Sequence, residues 1–190
     1  MPGIEAGKIN INAKNVVIRN NDVGIKGKNV KIQGENLELI YNDKGIDTVN
    51  LSATTDNLKI SSNKLGIQVT NGSLKTKSET LISNNHKGIK AHNLGLKSKG
   101  DLVIVGNGVG ASAEGTVSLQ GSNVEIKSNQ VGVSGKNVFV KGDKVSIGDN
   151  TVGFDVDSMN ANVQDFQLYD NVIAIKQSTK GKKKQDKQYN

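Results

Sequence analysis

The chain is 190 residues long, enough for one domain, and with three Phe, three Tyr and no Trp any core must be aliphatic. It has no Cys, which excludes disulfides and thiolate chemistry and leaves the redox compartment open. The formal net charge of +7 is concentrated at one end: residues 176–190 hold six Lys against Asp186 alone, whereas residues 1–175 hold 19 basic and 17 acidic residues.

Residues 1–8 read as a lead-in. The opening MPGIEAGKININ lacks the apolar stretch of a signal peptide. No apolar run approaches the ~20 residues that a membrane helix needs.

From Ile9 onward, apolar residues recur in pairs two apart, and the pairs recur every seven residues. The series opens Ile9/Ile11, Val16/Ile18, Val23/Ile25, Val30/Ile32 and closes Phe166/Leu168, Ile173/Ile175. Twenty-four such units run from residue 9 to 179, with eight-residue units starting at Gly72, Leu94 and Val109. The second slot is always filled, and the first fails only at Lys44, Gly72, Thr80 and Lys87. A coiled coil would space its apolar residues three and four apart. Spacing of two is the strand signature, because alternate side chains of a strand face the same way. Val, Ile and Leu in the slots and Gly and Asn between them agree with strands and corners.

A longer period lies over the short one. Asn21, Asn42, Asn63, Asn85, Asn107, Asn129, Asn150 and Asn171 recur every 21 or 22 residues. Each is followed three residues later by Gly24, Gly45, Gly66, Gly88, Gly110, Gly132, Gly153 or Ala174. Three units therefore make one coil. The first type reads V-x-I-x-x-N, the second V-G-I and the third N-V-x-I. The expected fold is an all-β, single-stranded parallel β-helix of about eight three-sided coils, spanning residues 9–179. Coils stacked at ~4.8 Å form a rod on the order of 40 Å long. The eight asparagines fall in register at one corner, where their amides can form a ladder. Glu38 and Lys59, 21 apart, become opposite-charge neighbours on adjacent coils. The glycines occupy what reads as the outward slot of the second strand type. They serve either a corner whose backbone favours glycine or a flat stripe against which another chain or a glycan could lie.

Segments such as Ile82-Ser83-Asn84-Asn85-His86-Lys87-Gly88-Ile89 resemble the repeats of the right-handed parallel β-helix superfamily, which includes pectate-lyase-like enzymes, NosD-type proteins, phage tailspikes and secreted adhesins. Asn29-Val30-Lys31-Ile32 and Asn36-Leu37-Glu38-Leu39 are also similar to filamentous haemagglutinin-type repeats. Lys8-Ile9-Asn10-Ile11-Asn12-Ala13-Lys14-Asn15 is similar to stretches in trimeric β-prism spikes, but three chains share each layer there, which gives a 21-residue superperiod no cause. The resemblance implies a right-handed helix and an extracellular, cell-surface or virion location. It covers many activities, so it implies fold more than function.

Candidate chemistry is sparse. Asp155, Asp157, Asp165 and Asp170 lie within one coil and invite comparison with a glycosidase pair, though carboxylates at turns also cap backbone amides. Arg19 stands alone. His86 and His92 are the only histidines and lack a third ligand. Gly106-Asn107-Gly108-Val109-Gly110-Ala111 matches G-x-G-x-x-A, but no helix follows it and the repeat already accounts for Asn107 and Gly110. No catalytic residue, metal site or cofactor is assigned. Residues 180–190 form a basic tail that reads as disordered, in which Lys180, Lys182, Lys183, Lys184 and Lys187 could contact polyanions. The expected function is a non-enzymatic structural or interaction rod, adhesin-like or a viral fibre component. A polysaccharide-active lyase or hydrolase and a head-to-tail polymerising scaffold are the rivals. A glycan or protein ligand and self-association through the coil ends are the expected partners.

Overall fold

The computed structural model describes residues 2–177. Fourteen strands and no helix make up that span: β1 (Pro2–Asn12), β2 (Asn15–Arg19), β3 (Val23–Gln33), β4 (Asn36–Ile40), β5 (Lys44–Ser61), β6 (Leu65–Ser83), β7 (Lys87–Ser98), β8 (Asp101–Val105), β9 (Val109–Ala113), β10 (Thr116–Gln120), β11 (Asn123–Lys127), β12 (Val131–Gly148), β13 (Val152–Tyr169) and β14 (Ile173–Gln177). Every strand pairing is parallel. Partners are mostly 21 or 22 residues apart, as in Val16↔Leu37 and Leu65↔Lys87. The one longer step, Leu94↔Val117, takes up the extra residues of two eight-residue units. The third such unit appears as a register shift between Thr55 and Asn57. The result is a parallel β-solenoid of about eight turns.

Each coil has three sides. The first side stacks Val16/Ile18, Leu37/Leu39, Leu58/Ile60 and their successors, and the third stacks Ile9/Ile11, Val30/Ile32, Leu51/Ala53 and theirs. These dyads point inward as expected, and through the middle coils they are buried. One coil has too little apolar surface to exclude water by itself, so the columns gain their stabilisation only through stacking. Two of the failed slots are explained inside the core. Thr80 shares a hydrogen bond with Thr76 (Oγ1···Oγ1 3.0 Å), which in turn donates to Ser98 Oγ at 2.9 Å. Gly72 leaves room that the side chains of Val69 and Leu94 fill.

The second side differs from the expected pattern. Its inward pair is displaced by two residues: Ile46/Thr48, Ile67/Val69, Ile89/Ala91 and Phe154/Val156 are the buried pairs, not Val23/Ile25 and its equivalents. Val23, Lys44, Leu65, Val109, Val131 and Val152 are half-buried and Lys87 is exposed, which is why lysine is tolerated in that slot. Residues 2–8, expected as a lead-in, are already paired strand: Pro2 lies beside Val23 and Lys8 beside Asn29. At the other end the dyads Phe166/Leu168 and Ile173/Ile175 read as core in the sequence but are exposed.

Candidate functional site

The corner between the first and second sides carries the asparagine ladder. The residue before each ladder asparagine turns the chain through the left-handed region, with φ between 49° and 65° at Asn20, Tyr41, Ser62, Asn84, Gly106, Ser128, Asp149 and Asp170. That turn directs the following asparagine into the rod. Asn42, Asn63, Asn85, Asn107, Asn129 and Asn150 are only 1–3% exposed. In every step from Asn21 to Asn171, the backbone N–H and Nδ2 of one asparagine both donate to Oδ1 of the next, at 2.9–3.1 Å. Nδ2 also donates to the carbonyl two residues back and to one in the coil below, as Asn63 does to Ser61 and Leu39. The buried amides are thus fully engaged, and the corner is a structural element rather than a ligand site.

The seven glycines beside the ladder are buried, not outward. None has φ in the left-handed region. Their constraint is space: a Cβ on Gly66 would land on Cγ2 of Ile60 and 2.5 Å from the carbonyl oxygen of Gly88. The same pair of obstacles recurs at Gly24, Gly88, Gly110 and Gly132. The column is a place of close approach between backbone and core.

Two further ladders run along the outside. On the third side, Asn50 Nδ2 donates to Asn29 Oδ1 (2.9 Å), Asn71 to Asn50 (3.3 Å) and Asn93 to Asn71 (3.4 Å). On the first side, Asn36 donates to Asn15 (2.7 Å) and Asn57 to Asn36 (2.9 Å). The N-V-x-I motif contained these asparagines at the right period. Only their outward, in-register placement, which the corner geometry sets, shows that they bond.

The third-side ladder walls a shallow groove of about 680 Å³. Small residues, Ser52, Ser73, Gly72 and Gly95, leave the depression, and Lys8 and Lys31 flank one end. Each exposed amide keeps an N–H and an oxygen lone pair for solvent or ligand. Its amides and hydroxyls can hold a polar ligand by hydrogen bonds, and no carboxylate or imidazole lines it.

No family model matches the chain, and no curated protein or solved structure is significantly similar to it.

The titratable candidates do not converge. Asp155, on the second side, is 3.2 Å from Lys176, and Asp165, on the first side, accepts from Gln167 at 3.0 Å. Asp170 is one of the left-handed corner residues. His92 approaches Glu114 at 3.4 Å on the surface, and His86 is exposed. Among the described residues no three His, Cys, Asp or Glu side chains cluster as metal ligands. Lys26, Lys64 and Lys77 are held above the usual lysine range by hydrogen bonds to Glu5, Asp43 and Asp56, reinforced by their charge. These are surface pairs between neighbouring coils, of the kind expected for Glu38 and Lys59, which are aligned as neighbours. No described helix is long and apolar enough to cross a membrane. The lysines from Lys180 to Lys187 lie outside the described residues.

Proposed function

We propose that the chain is a structural and interaction rod, an adhesin-like surface protein or fibre component of the right-handed β-helix superfamily. The observation that supports this reading best is the character of its main depression. It is open, shallow and walled by the neutral Asn29–Asn93 ladder, with the acids and histidines dispersed on other surfaces. Such a face suits recognition of a neutral polar polymer, with one donor–acceptor pair per coil at a spacing of ~4.8 Å.

The test joins a glycan array to a depolymerisation assay on the array's best ligands and on acidic polysaccharides. The expected result is binding without turnover, weakened by Asn50→Leu and Asn71→Leu together. Release of shortened sugars would instead identify a polysaccharide-active enzyme.

A further inference from the structure

The buried ladder has a direction. In the asparagine-to-asparagine bonds every donor points toward the higher-numbered coil and every acceptor toward the lower. At its two ends, among the described residues, Oδ1 of Asn21 accepts no hydrogen bond and the backbone N–H of Asn171 donates none. The group missing at one end is the group on offer at the other.

The end faces match in two other respects. Residues 8–21 carry Lys8, Lys14 and Arg19 and no acid, whereas residues 157–171 carry Asp157, Asp165 and Asp170 and no base. Continuing the 21-residue register places Lys8 over Ser158, Lys14 over Gln164 and Arg19 over Tyr169. Each cation then falls one position from an aspartate. The same register sets Ile9 over Met159 and Ile18 over the exposed Leu168, 47% accessible, extending both inward columns.

We infer that the acidic, apolar end face around Phe166 and Leu168 docks the basic first coil of a second copy of this chain, head to tail. The inference rests on the rod reading and names the rod's partner. A directional ladder cannot continue across a two-fold contact, so the assembly is heterologous and open-ended. One obstacle is built in. The second side has a rung at both ends, residues 2–6 and β14, so two copies compete for one level. The strand 2–6 yields, because it holds one large apolar side chain, Ile4, against Ile173 and Ile175 in β14. Its departure removes Glu5 from the basic face and leaves Lys26 over Lys176 as the one like-charged contact, with Asp155 bonded to Lys176 from below.

Sedimentation velocity of the full chain over a concentration series tests this. The expected result is a ladder of species extending beyond the dimer, growing at low salt. Lys8→Glu with Lys14→Glu makes both faces acidic, and Asp157→Lys with Asp165→Lys makes both basic. Each variant alone should associate at least about ten-fold more weakly, and an equimolar mixture should recover assembly. Leu168→Asp should abolish it, and Ile4→Asp, by loosening the strand 2–6, should strengthen it. A monomer at every concentration, growth that stops at a dimer, or a mixture no better than its components would overturn the proposal. A monomer that still binds glycan without turnover would sink the stacking alone and leave the rod reading intact.

Discussion

The backbone N–H and side chain of Asn63 take part in six hydrogen bonds: two to Asn85, one each to the carbonyls of Leu39 and Ser61, and two from Asn42. Removing its amide leaves the backbone N–H of Asn42 without its acceptor where water has no access, and takes one donor from each of the carbonyls of Leu39 and Ser61. Each orphaned group costs about 1–3 kcal/mol, so Asn63→Ala should lower stability by about 3 kcal/mol or more, read from urea unfolding. Asn71→Ala removes one rung of the outer ladder, whose amides water can satisfy. Its expected effect is under about 0.5 kcal/mol. Equal losses at the two positions would refute the distinction between a structural and a surface ladder. Tyr41 poses the opposite problem, a bulky residue at φ 55° whose side chain is 64% exposed. Asparagine tolerates that conformation better and little packing is forfeited, so Tyr41→Asn should stabilise by about 1 kcal/mol, visible as a raised midpoint in the same titration.

Within a coil, the decisive contact is between the glycine of the second side and the isoleucine of the first. Gly66→Ala drives a methyl into Ile60 and toward the Gly88 backbone. Backbone in a stacked sheet cannot move aside, so the expected loss is about 3 kcal/mol. Gly7 has nothing within 4 Å of its Cβ position, and Gly7→Ala should be neutral by thermal unfolding. The dyads of the first and third sides were legible in the sequence because those strands alternate strictly, with Leu37 and Leu39 buried and Glu38 between them. The second side was misread because a buried glycine precedes the isoleucine there, so two consecutive residues face the interior and the alternation breaks. The left-handed corner was also missed. Its residues include Asn20, Asn84, Gly106, Asp149 and Asp170, all of types that favour that region, but Tyr41, Ser62 and Ser128 hide the signal. The groove could not be found from spacing alone, because it arises from small side chains at Ser52, Ser73 and Gly95 on successive coils.

At the scale of the whole molecule, each coil touches only its neighbours, so stability is close to a sum over coils and their interfaces. Excising residues 44–64, one full period, joins Asp43 to Leu65 and leaves every column in register. The shortened chain should retain the circular dichroism of the parent with a modestly lower midpoint. Collapse to an unfolded spectrum would show that the coils are not interchangeable. Repetition also explains why shape was readable and purpose was not. A period is written many times over, whereas a binding face can depend on a few positions that break no pattern.

The ladder at the corner has one more consequence. Its eight side-chain amides are aligned, so their small dipoles add along the rod instead of cancelling. The Asn171 end, with its spare N–H, is the electropositive pole, and the Asn21 end, with its spare carbonyl oxygen, is the electronegative one. Asp170 stands beside the first and Arg19 beside the second, each charge next to the pole that favours it. A column of uncharged side chains thereby gives the molecule an electrical axis, and a rod with such an axis should align in an applied field, end distinguished from end.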